Sequence, residues 1–140
     1  MKFKNILVPV DGSEHSERAL RCALELAKCQ EARVTVLHSF GNIPMLIGGD
    51  GRRELVTALR EESRKLMEPF IGILREAGMP EQFIAREGRA AQVIVDEAKE
   101  GGFDLIVMGS RGLSEVAGVL MGSVAHRVLC SAHCPVLVTR

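Results

Sequence analysis

Residues 103–109 read FDLIVMG, a nearly continuous apolar run that ends in glycine. A run of this kind is typical of a central parallel strand that helices cover on both faces. On either side, short apolar runs alternate with longer stretches of helical periodicity, and no linker, repeat or low-complexity segment separates them. The sequence therefore predicts a single α/β domain over residues 1–140, a doubly wound parallel sheet with helices on both faces.

Five strands and four helices are expected within this domain. The predicted strands are residues 3–10, 33–40, 81–88, 103–109 and 134–140. Pro135 fits only the first residues of a strand or an edge strand. Between the second strand and the second helix, residues 41–51 are rich in glycine and predict a mobile loop without regular structure.

Each predicted helix has a recognisable apolar stripe or terminus. Ser13 is a suitable N-cap for the first helix, whose apolar face is Ala19, Leu20, Ala23, Leu24 and Ala27. The second helix spans residues 52–77 with a kink at Pro69 and a C-terminal Gly78, and its apolar positions are Leu55, Leu59, Leu66, Phe70 and Leu74. The third ends at Gly101 and the fourth spans residues 122–131; the stripe of the third is Ala91, Ile94, Val95 and Ala98.

Composition excludes several classes of function. Lys and Arg total 18 and Asp and Glu total 18, so no overall positive field favours a nucleic acid or an anionic membrane. Trp and Tyr are absent, which removes most stacking platforms for single-stranded nucleic acid. The N-terminus reads neither as a signal peptide nor as a membrane span, and the four cysteines show no paired spacing. We therefore expect a cytoplasmic protein in a reducing environment.

Two strand ends carry unusual residues, PVDGS after the first strand and MGSRG after the fourth. In doubly wound sheets, ligands bind outside the carboxyl ends of the strands. The second of these stretches begins the spacing G-x2-G-x9-G-S, formed by Gly109, Gly112, Gly122 and Ser123. We expect successive amides after Gly109 and at the start of the last helix to face one anion, with the Ser123 hydroxyl as a further donor.

Other interpretations of these residues stay open. The glycines are also typical of turns and helix caps in an α/β connection, and Asp11 in DGS is typical of a turn that begins a helix. Arg111, the one cation within the glycine spacing, can equally be a solvated loop residue. Neither G-x-x-x-x-G-K-[ST] nor G-x-G-x-x-G occurs, which disfavours a P-loop and a standard dinucleotide site.

The stretches VPVDGSEHSERAL, VIVDEAKEGGFDLIVMGSRG and SVAHRVLCSAHCPVLVTR, together with the glycine spacing, resemble the ATP-binding branch of the universal stress protein family over essentially the whole chain. The resemblance implies a Rossmann-like sheet of order 3-2-1-4-5 and a dimeric, cytoplasmic, ATP-binding stress-response protein. It implies that Asp11 lies beside the ribose and the phosphate-bound Mg²⁺ or Mn²⁺, and that Pro9 and Val10 lie near the adenine. Around the triphosphate it places Gly109, Gly112, Gly122 and Ser123, flanked by Met108 and Val124. Ser39 matches a position whose backbone contacts the adenine edge and whose side chain is often apolar.

Three functions follow as hypotheses. In the first, ATP with Mg²⁺ or Mn²⁺ orders residues 41–51 and 110–121 and changes the surface offered to an unidentified protein partner. Hydrolysis is slow at most, because Arg111 is the only cation of the glycine motif. In the second, the protein is a slow ATPase or phosphorylates itself on Ser110, Ser114 or Ser123. In the third, it is a dimeric interaction scaffold without nucleotide.

The last strand and the cysteines suggest further features. Residues 135–140 form an apolar edge strand, and pairing with a second copy across a two-fold axis would cover it, so a homodimer is expected. Cys130, His133 and Cys134 lie close in sequence but lack a fourth zinc ligand nearby, and buried thiols are the simpler interpretation. Cys22 and Cys29, one heptad apart, are expected to face the core. His15, His38 and His126 form no Ser–His–Asp pattern.

Overall fold

A five-stranded parallel sheet lies at the centre of the molecule. The computed structural model describes residues 1–41, 43–112, 118 and 120–140. The sheet has the order β3-β2-β1-β4-β5 and comprises β1 (Asn5–Pro9), β2 (Arg33–Phe40), β3 (Phe83–Glu87), β4 (Leu105–Gly109) and β5 (Val136–Thr139). The connecting helices are α1 (Glu14–Gln30), α2 (Gly49–Glu76), α3 (Ala90–Glu100) and α4 (Ser123–Ser131). The predicted α/β fold and its strand order are confirmed.

Helices cover both faces of this sheet because successive strand residues point to opposite sides. Ile6 and Val8 of β1 pack in one core layer with α1 and α2, whereas Leu7 packs in the other layer with α3 and α4. All three residues are fully buried. The chain leaves β1 for β2 on one side and later returns to pair β4 with β1 on the other. The strand order therefore reverses between β1 and β4, where α/β sheets form their ligand crevice.

The start of α1 matches the prediction, but its cysteines do not. The Ser16 amide donates to the Ser13 hydroxyl oxygen at 3.2 Å, so Ser13 is the N-cap. The five predicted apolar residues are buried. Cys22 is only half-buried and Cys29 is exposed, so the expectation that both face the core is wrong. Cys29 lies about 200° around the helix from the buried Ala27, which turns it to solvent.

Helix α2 begins inside the segment for which the sequence predicts an irregular loop. Residues 49–51 are helical and Gly48 is the N-cap, so the glycines there start a helix where a loop was expected. An N-cap tolerates glycine far better than a helix interior does. The helix continues through Pro69, and the predicted kink stays a prediction. At the other end, Gly78 has φ +70° and completes a Schellman cap in which the Met79 amide donates to the Leu74 carbonyl at 3.0 Å.

The buried stripe of α2 differs from the predicted one most clearly at Leu66. This side chain is 43% exposed, and the stripe runs instead through Ser63 and Met67. One methyl of Leu66 covers Gly12 at the entrance to α1. The apolar side chain therefore packs on a loop at the edge of the core.

The remaining elements agree with the prediction to within a few residues at each end. In α3, Ile94 and Ala98 are buried and Gly101 is the C-cap. In α4, Gly122 is the N-cap, and β5 begins directly after Pro135. Within the described ranges, no helix combines the length and the apolarity that a bilayer crossing requires.

Candidate functional site

A cavity of about 370 Å³ opens at the carboxyl ends of β1, β2 and β4, between the first turns of α3 and α4. Its size falls within the range of small-molecule sites. Every residue for which the sequence predicts nucleotide contact lines it: Pro9, Val10, Asp11, Ser39, Met108, Gly109, Arg111, Gly112, Gly122, Ser123 and Val124. The fold thus gathers residues from three strand ends and one helix start around a single space.

Several further lining residues were not assigned to the site from the sequence. They are Ser16, Leu37, His38, Ala90, Ile94 and Ala125, and Ser110, which the sequence suggested only as a phosphorylation candidate, lines the cavity as well. Leu37 and Ile94 carried a periodicity signal, but that signal indicates only burial. Ala90 lines the cavity because α3 starts beside the end of β2, a placement that depends on tertiary packing.

One side of the cavity is apolar. Leu37, Ile94 and Met108 belong to the same core layer and are each at most 5% exposed. These three side chains offer an apolar surface to a ligand. Polar groups from Asp11, Arg111 and Ser123 line the same cavity, as expected of a site that holds an amphiphilic small molecule.

Asp11 has a structural role in the turn that follows β1. Its Oδ1 accepts a hydrogen bond from the Ser13 amide at 3.0 Å, which stabilises the turn into α1. Its Oδ2 faces Gly112, where a Cβ would overlap the carboxylate. The interpretation of Asp11 as a turn residue is therefore confirmed. The same carboxylate also lines the cavity, so the two roles are compatible.

Gly109 is a glycine for a reason that the sequence did not suggest. A Cβ on Gly109 would lie 3.0 Å from the backbone carbonyl group and the Cβ of His15 in α1. The close packing of α1 on the end of β4 therefore disfavours a side chain there. Gly109 lines the cavity, but helix packing accounts for its identity.

Fewer main-chain amides are available to a ligand in the cavity than the glycine spacing predicts. The Ser110 amide donates to the Thr139 carbonyl at 2.7 Å, and the Gly122 amide donates to the Ser110 carbonyl at 2.6 Å. Carbonyl oxygens of the chain therefore occupy the Ser110 and Gly122 amides, and the expectation that the amides after Gly109 face an anion is wrong for Ser110. These two bonds instead join both ends of the connection from β4 to α4 and fix them beside β5.

The first turn of α4 keeps its anion-binding character. The Ser123, Val124 and Ala125 amides have no partner within the helix, because the first helical bond runs from His126 to Gly122. All three residues line the cavity, so the positive end of the helix dipole faces it. An anion in the cavity could accept hydrogen bonds there.

His38 lies in the cavity wall and is held from α2. Its Nδ1 lies 2.6 Å from the hydroxyl oxygen of the buried Ser63. Burial lowers the pKa of His38, whereas the nearby Asp11 carboxylate raises it to a smaller extent. The imidazole is therefore neutral at pH 7. Its partner Ser63 is 25 residues away in sequence, so no local pattern indicates this pair.

Two further predictions from the sequence, the serine at position 114 and the cysteine–histidine cluster near the C-terminal strand, can be compared with the structure only in part. Ser114 and most of the connection from residue 110 to residue 121 lie outside the described residues. Cys130 is exposed with its sulfur 3.9 Å from His126 Nε2, so the interpretation as a buried thiol is wrong for Cys130. Cys134 is half-buried, and this burial raises the pKa of its thiol. Among the residues that the structure describes, no three His, Cys, Asp or Glu side chains come together as a metal site.

Comparison with known proteins agrees with this fold and site. The universal stress protein family profile matches residues 2–140. The chain is 34% identical over 139 residues to the "Universal stress protein in QAH/OAS sulfhydrylase 3′region" of Thermus aquaticus, covering 99% of each chain. The solved structure of MJ0577 from Methanocaldococcus jannaschii matches with a TM-score of 0.87 at 31% identity, covering 99% of this chain and 96% of that one. The universal stress protein of Archaeoglobus fulgidus in complex with dAMP matches with a TM-score of 0.68 at 27% identity, covering 100% of both chains.

Proposed function

The chain belongs to the universal stress protein family, and we propose that it binds an adenine nucleotide, ATP in the first place, in the cavity at the carboxyl ends of β1, β2 and β4. The observation that carries the proposal is the gathering of all the predicted contact residues around one cavity at the reversal of strand order. The dAMP bound to the Archaeoglobus fulgidus relative supports an adenine nucleotide as the ligand.

The chemistry of the walls suggests how the nucleotide is oriented. The base packs on the apolar side formed by Leu37, Ile94 and Met108, near the backbone of Ser39. The ribose lies beside Asp11, and the phosphates lie at the first turn of α4, where Ser123 adds a hydroxyl donor. This arrangement uses the apolar and anion-binding sides of the cavity for the two ends of one ligand.

A divalent cation, Mg²⁺ or Mn²⁺, arrives with the triphosphate in this proposal. The described residues offer no preformed set of three ligands, so phosphate oxygens hold the ion and the Asp11 carboxylate lies within the same cavity. The nucleotide thus supplies most of the coordination. Nucleotide and metal are expected to bind together more tightly than the nucleotide alone.

Slow turnover at most is expected from these residues. Phosphoryl transfer needs positive charge around the transferred group. Among the described lining residues, Arg111 is the only arginine or lysine, and His38 is neutral at pH 7. Retention of nucleotide is therefore favoured over hydrolysis. Transfer to Ser110 or Ser123 is the second candidate, since both residues line the cavity.

Nucleotide occupancy acts as a signal in this proposal, in the cytoplasm and under stress. The segment after β2 carries Met45 and Leu46, which are at least 98% exposed, next to the end of β2 that lines the cavity. Nucleotide binding at the cavity would change residues 41–48 and 110–121, and with them this apolar surface, which an unidentified partner protein could recognise. Hydrogen exchange with and without ATP tests the step, because identical protection of both segments would contradict it.

A homodimer through residues 135–140 is part of the same proposal. β5 is an edge strand, and its Leu137 is 36% exposed, so pairing with a second copy would cover both the strand edge and this side chain. Light scattering after size exclusion at micromolar concentration should give twice the mass of the 15.3 kDa chain. A stable monomer would contradict the dimer.

Nucleotide binding itself is tested in two steps. Acid extraction of the purified protein, followed by chromatography, shows which adenine nucleotide co-purifies with it. Calorimetric titration of the nucleotide-free protein with ATP, ADP, AMP and cyclic AMP, each with and without Mg²⁺, then ranks the ligands. Saturable binding of one nucleotide per chain supports the proposal. No heat from any of them would leave the dimeric scaffold as the better account.

A further inference from the structure

His38 lies in the cavity wall beside Ser39, near the end of β2, and a helix holds its imidazole in place. The residue is half-buried. Its Nδ1 lies 2.6 Å from the hydroxyl oxygen of Ser63, which belongs to α2 and is 2% exposed. This hydrogen bond therefore joins a residue of the cavity wall to the buried stripe of α2.

The direction of this hydrogen bond follows from what the Ser63 hydroxyl can reach. Within the part of the chain that the structure describes, Nδ1 of His38 is its one hydrogen-bond partner. If the hydroxyl accepted from Nδ1, its own proton would be buried without an acceptor, which is unfavourable. Ser63 therefore donates to Nδ1, and a neutral His38 carries its proton on Nε2.

The Nε2–H group of His38 is not sealed inside the protein. Among the described residues, none accepts a hydrogen bond from it. It is also not a buried atom without a partner, because in the described ranges the Thr139 hydroxyl is the only side-chain group of that kind. Since His38 lines the cavity, this N–H is a donor that a ligand there can use.

A carboxylate lies next to this donor. Asp11 is close enough to His38 to oppose part of the effect of burial on the pKa of the imidazole, and both residues line the cavity. An ionised carboxylate has about four acceptor positions, so Asp11 can accept from a ligand as well as from the Ser13 amide. A hydroxyl group can donate to a carboxylate and accept from an N–H, whereas a purine ring nitrogen without a proton only accepts. The neighbouring donor and acceptor therefore suit a sugar hydroxyl better than a base edge.

We propose that Nε2–H of His38 donates a hydrogen bond to a ribose hydroxyl of the bound nucleotide, and that Ser63 is the positioning residue that keeps the proton on Nε2. The inference rests on the proposed function and deepens it, because it assigns part of the recognition of the sugar to His38. A nucleotide without ribose hydroxyls cannot form this bond. The site should therefore distinguish ATP from 2′,3′-dideoxy-ATP.

Calorimetry of the nucleotide-free full chain at pH 7.5, with ATP and with 2′,3′-dideoxy-ATP, each with Mg²⁺, tests the contact. His38→Leu should lower ATP affinity by ~10-fold, the effect of one hydrogen bond, and should change the affinity for the dideoxy nucleotide by less than ~2-fold. His38→Gln, whose amide still carries N–H groups, should lose less ATP affinity than His38→Leu. His133→Leu is the matched control, because His133 is exposed and does not line the cavity, and it should change neither affinity.

A double variant separates the contact from a loss of stability. His38→Leu leaves the buried Ser63 hydroxyl without its partner, so this variant should be less stable than the wild type. Combining His38→Leu with Ser63→Ala removes both polar partners and is closer to neutral for stability. The double variant should show the same selective loss of ATP affinity.

Imidazole nitrogen-15 spectra test the role of Ser63. The wild type should show His38 as a single tautomer with the proton on Nε2, and Ser63→Ala should show a mixture of both tautomers. Ser63→Ala should also lower ATP affinity by ~2-fold or more while the affinity for the dideoxy nucleotide stays the same. A purely structural role of Ser63 would produce neither change.

Equal wild-type affinities for the two nucleotides, unchanged ATP affinity in His38→Leu, or parallel losses of both ligands would overturn the ribose contact while nucleotide binding stands. A proton on Nδ1 in the wild type, or an unaltered tautomer in Ser63→Ala, would overturn the role of Ser63. Failure of every adenine nucleotide to bind the wild type would overturn the proposed function and the ribose contact with it.

Discussion

The carboxylate of Asp11 occupies the space into which a side chain on Gly112 would project. A Cβ at position 112 would overlap Oδ2 of Asp11, whereas the φ of Gly112 lies outside the left-handed region. Gly112 is therefore constrained by the nearby Asp11 side chain, because its backbone conformation is one that residues other than glycine also adopt. The segments that follow the first and fourth strands meet at this contact. A substitution at either residue is therefore expected to shift the position of the other.

Gly112→Ala should displace the Asp11 carboxylate and weaken adenine nucleotide binding by ~10-fold or more. Displacing the carboxylate should also weaken its bond from the Ser13 amide and lower the free energy of unfolding by at most about 1 kcal/mol. Calorimetry and urea denaturation measure the two effects. Gly72→Ala is the matched control, since Gly72 lies inside α2 and a Cβ there would meet nothing within 4 Å. That change should stabilise the protein by about 0.5–1 kcal/mol and leave affinity unchanged. Wild-type affinity in Gly112→Ala would show that the carboxylate position does not matter for binding.

Asp11→Ala and Asp11→Asn should separate the two roles of this side chain. Alanine removes the acceptor for the Ser13 amide and should cost about 1 kcal/mol of stability, whereas asparagine keeps an oxygen there. Both variants remove the charge, so both should weaken binding of ATP with Mg²⁺. If Asp11→Asn bound the metal complex as well as the wild type, the carboxylate charge would have no part in binding.

The stability of the protein should depend on pH through His38. Because burial lowers the pKa of His38 in the fold, the unfolded chain takes up its proton first as the pH falls through the ordinary value of 6.5. The unfolded state then binds more protons, so stability falls below about pH 6.5 and is fully present above it. The Asp11 carboxylate reduces this effect. Urea midpoints at pH 7.5, 6.5 and 5.5 should therefore fall more steeply for the wild type than for His38→Asn, and parallel profiles would be the contrary result.

Thr139→Val should leave stability unchanged or raise it by up to about 1 kcal/mol. Among the described residues, the hydroxyl of Thr139 is buried without a hydrogen-bond partner, and replacing it with a methyl removes that cost. Its carbonyl, which accepts from Ser110, is unaffected by the change. Thermal unfolding of the two proteins measures the difference, and a loss of more than 1 kcal/mol would show that the hydroxyl has a partner in solution.

Much of the fold could be predicted because its signals are local. The apolar run of β4, the cap at Ser13 and the alternation of strands and helices each depend on residues close in sequence. The two unusual strand ends, after β1 and β4, could be placed at one edge because parallel strands bring their carboxyl ends together, whereas the roles of the individual contact residues came from the family resemblance. Chain order alone therefore predicted that Asp11 and Gly112 lie at the same edge of the sheet.

The features that the sequence did not predict depend on contacts between residues far apart in the chain. The absence of a side chain at Gly109 follows from the backbone of His15, and the use of the Gly122 amide follows from the position of Ser110. The pairing of His38 with Ser63 requires α2 to lie over β2. None of these relationships leaves a periodicity or a spacing in the sequence.

Nucleotide binding at the carboxyl ends of the strands is tested most directly by a map of amide chemical shifts during titration of the nitrogen-15-labelled, nucleotide-free protein with ATP and Mg²⁺. We expect the largest shifts at the Ser123, Val124 and Ala125 amides and at Gly112, with saturation at one nucleotide per chain. Unchanged spectra, or shifts confined to residues away from the carboxyl ends of β1, β2 and β4, would contradict nucleotide binding at this site.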